Sequence, residues 1–392
     1  MQNIRKKLKS MKKCGAMIPD KAKFCPGCGA RNQLKKKQKT RIWIIILCLV
    51  CFGIIAAVML NKFVKNDDGD NAIKNSRAVL YKHKIYYLKN RTLYKANEDG
   101  TKQTVVKKLP HKKIEDEYVE YDQLQIYKGR LYGILEEEYS MGRRHYIFSI
   151  NLDGTDYKRE IVPKKADKWD IDSYSIEDDY IYYVLRESEN LIHHTVYKQK
   201  LGSNKEIKIK YIKASNMQLY GKYAYYHNIQ TGDIIKLNLE TQKEKVCIGN
   251  ISLHTMGVSK NKLVLATEKA ITWVDLKDGK NHTKKIETAS KWDMIQILRV
   301  NDEEVCYGIM HKTYNACSAR LYKMNFKTQK IQELVYPEEQ KIHDIDLIGN
   351  RLAISGSLNE NGTGEFIFFV KEKEGKNYKK EIREKIESLD KK

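Results

Sequence analysis

Two patterns of hydrophobic positions divide the chain. Residues Ile42 to Leu60 form an unbroken apolar run without a charged side chain. As a helix rising about 1.5 Å per residue, this run would span roughly 28 Å, close to a hydrocarbon core of about 30 Å. From residue 76 onward, short segments instead alternate β-branched or aromatic residues with polar ones. The run therefore predicts a transmembrane helix at 42–64, and the alternation predicts β-strands.

The strand region repeats one unit. Each unit begins with a short strand, a polar turn and a second strand, as predicted for 78–81 and 84–88. A third strand enters a hairpin, often with Asp-Gly at its tip as in Asp99-Gly100, because glycine supplies the positive φ of a two-residue turn. A fourth strand follows. The other strand pairs are predicted at 124–127 and 130–135, 174–176 and 180–185, 217–220 and 222–226, 255–258 and 262–266, 295–300 and 304–309, and 345–348 and 351–355.

The repeat predicts a mainly β fold, a seven-bladed β-propeller over residues 76–378. Four strands per unit at a period of about 40–50 residues are typical of propellers. The alternation with a period of two excludes helical solenoids. Six or eight blades are the alternatives, if the first or last unit is shared where the ring closes.

Charge predicts the orientation of the membrane helix. The whole chain has a net charge of +23, and residues 1–41 carry an excess of Lys and Arg with Asp20 as their sole acid. Basic flanks stay in the cytoplasm, so we expect a cytoplasmic head at 1–41 and an exported part after about residue 64. The lipid bilayer is then one partner. The basic head is explained by this topology, and a nucleic-acid partner is not expected.

The head contains a metal-site motif. Cys25-Pro26-Gly27-Cys28 is a zinc knuckle in composition and spacing, and Cys14 matches the closing half of a second knuckle. The segment 11–32 resembles the short zinc ribbons that open many bacterial membrane proteins. Met11 stands where that family has its first cysteine, so Cys14, Cys25 and Cys28 are the three predicted zinc ligands. Asp20, water or a second chain would be the fourth, and a degenerate ribbon without metal is the alternative.

The repeats also resemble a known family. Ile85-Tyr86-Tyr87, Leu93-Tyr94-Lys95 and Asp99-Gly100 resemble the repeats of bacterial propellers called domain of unknown function 5050, which are similar to the low-density-lipoprotein-receptor type. A zinc ribbon, one membrane helix and such a propeller imply a single-pass cell-envelope protein of a low-GC Gram-positive bacterium. The resemblance implies no reaction. Residues 65–75 would be a linker and 379–392 a charged tail.

One set of residues predicts a ligand site. An aromatic or histidine side chain followed by Asp precedes four of the predicted innermost strands, and such pairs would converge on one rim of the axis. Carboxylates beside aromatic rings suit sugars or cations. Alternatively, the rings pack between blades while the aspartates cap loops. The pairs are Tyr121-Asp122, Trp169-Asp170, Trp292-Asp293 and His343-Asp344.

Two functions follow from these patterns. The first is an extracytoplasmic binding, scaffold or sensor module, whose positive charge favours an anionic cell-wall polymer, besides a sugar or an envelope protein as partner. The second is a propeller hydrolase or lyase that uses the axial carboxylates. No nucleophile elbow, phosphate loop or His-Glu-x-x-His motif occurs, so we expect no enzyme and name no catalytic residue. The adjacent His193-His194 is expected in an exposed loop.

Overall fold

The computed structural model describes residues 8–10, 14–19, 22–30, 77–89, 91–110, 118–139, 142–163, 169–187, 190–288, 293–312, 317–335, 342–348, 351–357 and 365–371. The chain divides into two compact units, Met1–Asn66 and Asp67–Lys392. The predicted membrane helix at 42–64, the linker and the charged tail lie outside the described residues. Within the described ranges, no helix is long and apolar enough to cross a bilayer.

The first unit contains a small hairpin. Strand β1 (Leu8–Ser10) pairs antiparallel with β2 (Met17–Pro19), and Lys9 lies opposite Ile18. Ile18 is buried, as is Cys25. The hairpin therefore places Cys14 in its connection.

The second unit is built from successive antiparallel meanders, whose strands hydrogen-bond in chain order. The first meander is β3 (Ala78–Tyr81), β4 (Lys84–Lys89), β5 (Thr92–Asn97) and β6 (Thr104–Lys108). The second is β7 (Tyr118–Tyr127), β8 (Arg130–Tyr139), β9 (Gly142–Asn151) and β10 (Lys158–Ile161). The third and fourth are β11 (Trp169–Glu177), β12 (Tyr180–Glu187), β13 (Asn190–Lys200), β14 (Glu206–Tyr220), β15 (Tyr223–Asn228), β16 (Ile234–Asn238) and β17 (Glu244–Ile248).

The remaining strands continue the pattern. The fifth meander is β18 (Thr255–Val258), β19 (Lys262–Ala266), β20 (Ala270–Asp275) and β21 (Asn281–Lys285). The sixth is β22 (Asp293–Val300), β23 (Glu304–Lys312), β24 (Cys317–Asn325) and β25 (Ile331–Val335). The seventh has three described strands, β26 (Ile342–Ile348), β27 (Arg351–Ser357) and β28 (Glu365–Lys371).

Strand β14 belongs to two meanders. Its first half pairs with β13, with His193 opposite Lys213, and its second half pairs with β15 from Ala214 onward. The same strand is thus the outermost of the third meander and the innermost of the fourth. The sequence predicted only a short strand at 217–220, because the alternation continues without a turn signal through the change of partner.

The hairpin tips follow their predicted chemistry. Gly100 and Gly154 have φ of +74° and +85°. In each tip the preceding aspartate accepts a hydrogen bond of 2.9 Å from the backbone N–H two residues later, Asp99 from Thr101 and Asp153 from Thr155. Such self-capping fixes the turn, and with it the register of the two strands.

The hydrophobic core lies between neighbouring meanders. Tyr86 and Leu93 of the first meander share a buried cluster with Phe148 of the second, and equivalent clusters join the second to the third, the third to the fourth, the fourth to the fifth and the fifth to the sixth. The second to fifth meanders thus bury side chains on both faces of their sheets. Burial stabilises by about 25 cal/mol per Å² of apolar surface.

The last meander packs against the first. Phe369 of β28 and Tyr87 of β4 share a buried cluster, and their rings meet edge to face with centroids 5.2 Å apart. A Cβ on Gly100 would lie 2.9 Å from the Phe369 Cβ. The innermost strand β26 also contacts β3. The prediction of a mainly β, propeller-like fold is therefore confirmed, whereas the blade number and the membrane helix stay predictions.

Candidate functional site

Three cysteine side chains meet in the head. The Cys14 Sγ lies 3.5 Å from the Cys25 Sγ and 3.2 Å from the Cys28 Sγ. All three sulfur atoms lie within 4.8 Å of one another. Among the residues with described side chains, no other group of at least three His, Cys, Asp or Glu residues is as closely spaced. The hairpin and the knuckle therefore bring together the three predicted zinc ligands.

The backbone of the knuckle shapes this cluster. The Gly29 N–H donates to the Cys25 carbonyl at 2.9 Å, and the Cys25 N–H donates to Ala30 at 3.0 Å. Gly29 has a φ of +69°, a conformation that a side chain would strain. The turn thus holds Cys25 and Cys28 on the same side.

Backbone amides also act on the thiols. The N–H groups of Gly27 and Cys28 lower the pKa of Cys25 below its ordinary value. The N–H of Ala16 lowers the pKa of Cys14. The hydrogen bonds of the Cys14 thiol with the Cys28 and Cys25 side chains raise this pKa, and the net shift is upward. These backbone hydrogen bonds thus favour the thiolate of Cys25, and the thiolate is the form in which cysteine binds metals.

The cysteine cluster fits zinc. With Zn–S bonds of about 2.3 Å, two sulfurs of a tetrahedral site are about 3.8 Å apart. The observed 3.5 and 3.2 Å separations are slightly shorter than this spacing. Bound zinc would supply a structural crosslink between the hairpin and the knuckle.

The structure places the aromatic-Asp pairs differently from the prediction. The pairs belong to the innermost strands β7, β11 and β26 instead of preceding them, and Asp293 is the first residue of β22. Trp292 lies outside the described residues, and the backbones of Tyr121, Trp169, His343 and Asp344 are described. The innermost strands begin earlier than predicted because they pair along the full length of long partner strands. Asp170, for example, lies opposite Arg186 in the ladder of β11 and β12.

Asp170 lies in a charged cluster between the second and third meanders. The Arg186 guanidinium is 3.5 Å from the Asp170 carboxylate and 3.2 Å from that of Asp172. His145 Nε2 lies 3.4 Å from Asp170 and 3.6 Å from Glu136. These side chains are largely buried, and the contact of His145 with Asp170 links two neighbouring sheets. The contacts described for Asp170 therefore have a structural role, and the predicted ligand role of the pairs stays a prediction.

Asp122 stabilises the strained backbone conformation of Gln123. Its carboxylate accepts a 2.6 Å hydrogen bond from the Gln123 N–H, and Gln123 is buried with a φ of +51°. The Gln123 side chain donates to the Asp172 carbonyl at 3.1 Å, and the Tyr174 hydroxyl donates to the Gln123 carbonyl at 2.7 Å. Burial raises the pKa of Tyr174 well above its ordinary value. A network of hydrogen bonds therefore holds a conformation that costs about 1–3 kcal/mol.

Several innermost strands carry a β-bulge that the sequence pattern did not predict. The register shifts between Asp122 and Gln125 in β7, between Ile171 and Ser173 in β11, and between Ala214 and Met217 in β14. Bulges re-aim side chains and are frequent beside active sites. The signal in the sequence is two adjacent polar residues that interrupt the alternation, such as Asp172-Ser173.

The expectation for the histidine pair is wrong. His193 and His194 lie within β13 instead of an exposed loop. His194 is buried, and His193 Nδ1 lies 2.9 Å from the Glu187 carboxylate. The strand continues through this polar segment because its partner β14 is unusually long.

The outermost strands present a basic surface. Lys208 and Lys213 of β14 and Lys245 of β17 are exposed. The Lys210 ammonium lies 2.7 Å from the Glu244 carboxylate, which connects β14 to β17. The other basic residues on the outermost strands are Lys107, Lys108, Lys158, Arg159, Lys284 and Lys285. Carboxylates are fewer on these strands, so the outer surface is positively charged.

Comparison with known proteins gives a family match for part of the first unit and structural matches for most of the chain. Residues 12–32 match the family model of a zinc-ribbon domain. No curated protein sequence matches the chain significantly. The structure is similar to one from a study of two prolyl endopeptidases and their inter-domain dynamics, with a TM-score of 0.52 and 9% identity over 79% of this chain and 49% of that one.

Two further structures are similar at lower scores. TolB from Acinetobacter baumannii is 14% identical with a TM-score of 0.40, over 62% of this chain and 64% of that one. A chain of a nidogen/laminin complex is 9% identical with a TM-score of 0.41, over 70% of this chain and 94% of that one. The chain spans less than two thirds of the length of the prolyl endopeptidase and TolB chains.

The expectation that the protein is not an enzyme is corrected by these comparisons. A prolyl endopeptidase is among the structures of similar fold, so a propeller-like architecture without a catalytic sequence motif does not exclude enzymatic activity. At 9% identity the likeness shows the fold alone and assigns no reaction to this chain.

Proposed function

We propose that the protein is a membrane-anchored β-propeller of the bacterial cell envelope that binds an anionic polymer outside the membrane and carries a zinc-binding head inside. The basic outer surface formed by β14 and β17 is the observation that carries the binding function. A polyanion such as a wall polymer is complementary to this surface, and each lysine near an anionic surface contributes about 1 kcal/mol.

We further propose that the head binds one zinc ion through Cys14, Cys25 and Cys28. The spacing of the three sulfur atoms and the match to the zinc-ribbon model at 12–32 support this proposal. The fourth ligand would be Asp20, water or a second chain.

The anchor would be a single helix at 42–64, with the head in the cytoplasm and the C-terminal unit outside the cell. The uncharged apolar run and the basic residues before it support this topology. A ring of seven blades, of the domain of unknown function 5050 type in a Gram-positive bacterium, is the architecture we propose. The contacts of β26 with β3 and of Phe369 with Tyr87 support a ring that closes after the seventh meander.

Binding of the purified full chain to soluble poly(glycerol phosphate) tests the proposed function. We expect binding that weakens as salt rises, because exposed charges are screened. Reversal of Lys208, Lys213 and Lys245 to Glu should cost roughly 3 kcal/mol, or about 100-fold in affinity. Reversal of three exposed lysines on turns, Lys102, Lys260 and Lys269, changes the net charge equally and is the matched control. Equal losses in both variants would contradict a specific surface on β14 and β17.

A further inference from the structure

A serine and a histidine meet in the fourth meander. The Ser215 Oγ lies 2.6 Å from the His227 Nδ1, and the His227 Nε2 lies 3.0 Å from the Ile251 carbonyl oxygen. Ser215 is exposed and His227 is half-buried. The pair is 12 residues apart in the chain, and the pairing of β14 with β15 brings it together.

The hydrogen bonds determine the state of the imidazole. A carbonyl oxygen only accepts hydrogen bonds, so the Nε2 facing Ile251 must carry the proton. In the neutral ring, Nδ1 is then the acceptor, and the Ser215 hydroxyl donates to it. This is the arrangement of a nucleophile and its general base, with the base oriented by a third group.

The surrounding loop holds the base in place. The Ile251 N–H donates to the Gly232 carbonyl at 2.8 Å, and the Asn250 N–H donates to the Asp233 carboxylate at 3.0 Å. The His227 imidazole is one of the groups that lower the pKa of Asp233, after the hydrogen bonds from Thr231 and Asn250. The Asn228 N–H, one residue after His227, donates to the Asp233 carbonyl at 2.9 Å, and a carboxylate at this place would stabilise the imidazolium that forms when His227 takes up a proton.

The serine stands at a bulge. Ala214 lies opposite Asn228 and Met217 opposite Tyr226, so that Ser215 and Asn216 together face His227. The extra residue turns the Ser215 hydroxyl out of the ladder while keeping it within reach of the ring. Asn216 donates to the His254 carbonyl at 3.2 Å, which fixes the bulge against the next meander.

We propose that Ser215 and His227 form a catalytic pair that hydrolyses small carboxylic esters. The Ser215 oxygen attacks the ester carbonyl carbon while His227 Nδ1 takes the hydroxyl proton. The bond from that carbon to the alkoxy oxygen breaks, and the imidazolium gives the proton to the departing alcohol. Water then attacks the acyl-serine, His227 takes a proton from the water and returns it to Ser215, and the carboxylic acid leaves.

The geometry favours esters over amides. The imidazole is oriented by a neutral carbonyl instead of a carboxylate. An alkoxide leaving group needs less help from a proton donor than an amide nitrogen does. Because Ser215 is exposed, a small acyl group reaches it without a deep pocket.

Reaction of the purified full chain with a fluorophosphonate and with p-nitrophenyl acetate tests the proposal. We expect the phosphonyl adduct on Ser215, found by mass spectrometry of the digested protein. Ser215→Ala should lose both the adduct and the ester turnover. His227→Gln should lower turnover by about 10²- to 10⁴-fold, the usual contribution of a general base. Ser252→Ala is the control, because Ser252 is exposed on the loop that carries Ile251.

A pH profile separates the positioning role from a structural one. Asp233→Asn should move the acid limb of the rate profile to lower pH, because the imidazolium loses a neighbouring negative charge. A Ser215 that reacts no faster than Ser252, or a Ser215→Ala variant with wild-type turnover, would overturn the proposal. None of these residues is changed in the polymer-binding experiment, so either proposal can fail alone.

Discussion

The head and the propeller-like unit differ in what holds them together. Among the described residues of the head, the buried hydrophobic side chains are Ile18 and Cys25. In the second unit, large side chains such as Tyr87, Tyr183 and Tyr225 are fully buried in clusters shared by neighbouring meanders. Small domains without a sufficient core depend on metals or crosslinks. The head thus has the small core that is typical of units stabilised by a metal, whereas the second unit is stabilised by repeated packing.

The largest expected effect is the loss of a thiolate from the head. Cys25→Ser should abolish zinc retention after dialysis, because structural zinc binding in four-ligand fingers is worth about 10–16 kcal/mol and each ligand carries a large share. Zinc per chain is measured by mass spectrometry of the metal. Cys247→Ser, at a half-buried cysteine of the second unit, is the matched control. Equal zinc contents in the two variants would contradict zinc binding by the cysteines of the head.

The next effect concerns the contact between the last and first meanders. Phe369→Ala should destabilise the second unit by about 3–5 kcal/mol, because the ring is buried against Tyr87 and its loss leaves a cavity. Urea unfolding followed by tyrosine fluorescence measures the change. Val105→Ala removes an exposed side chain, 64% accessible, and should change stability little. Similar midpoints for the two variants would show that the seventh meander does not close onto the first.

A smaller effect is expected where turns of the fifth and sixth meanders meet. Asp302 accepts hydrogen bonds from the Ser259 hydroxyl at 2.8 Å, from the Asn261 N–H at 2.9 Å and from the Asn261 side chain. Asp302→Ala should cost about 1–3 kcal/mol, because these donors lose their acceptor. Asp278 accepts within its own hairpin from Lys280 at 2.9 Å. Asp278→Ala should cost less in the same unfolding experiment, and a reversed order would contradict a link between meanders.

The smallest effect is a dependence on pH at the contact of the second and third meanders. The hydrogen bond from Lys128 holds the pKa of Asp179 below its ordinary value. Asp179 therefore stabilises the fold above the pKa of the unfolded chain, about 3.9, and this contribution is lost as the pH falls through the lower folded value. The difference in melting temperature between wild type and Asp179→Asn should shrink in acid. A difference that stays the same from neutral to acid pH would contradict this contribution of Asp179.

Local patterns predicted much of the fold. The strands Ala78–Tyr81, Thr255–Val258 and Lys262–Ala266 have the predicted bounds, because period-two alternation and polar turns determine them locally. The three cysteines were found from the spacing of the knuckle and from the resemblance of the segment to zinc ribbons. The double role of β14 and the bulges were not predicted, because both depend on which distant strand supplies the partner.

The Ser215 and His227 pair was also out of reach of the sequence. The two residues are twelve positions apart in the chain, and no spacing rule distinguishes them from other serines and histidines. Their contact arises from a register shift of β14 against β15. The contacts of Asp170 became visible for the same reason, since Arg186 meets it from the neighbouring strand and His145 from the neighbouring sheet. Side-chain contacts between strands can be predicted only when the register of the strands is known, and hydrophobic alternation alone does not determine the register.

Amide hydrogen exchange of the full chain, with and without a zinc chelator, tests the comparison most directly. We expect chelation to remove the exchange protection of the Cys25 and Gly29 amides, whose hydrogen bonds close the knuckle. Peptides from β4 and β12 should keep their protection, because buried clusters hold them in place. Unchanged protection of the knuckle after complete removal of zinc would contradict the account, as would a loss of protection in both units.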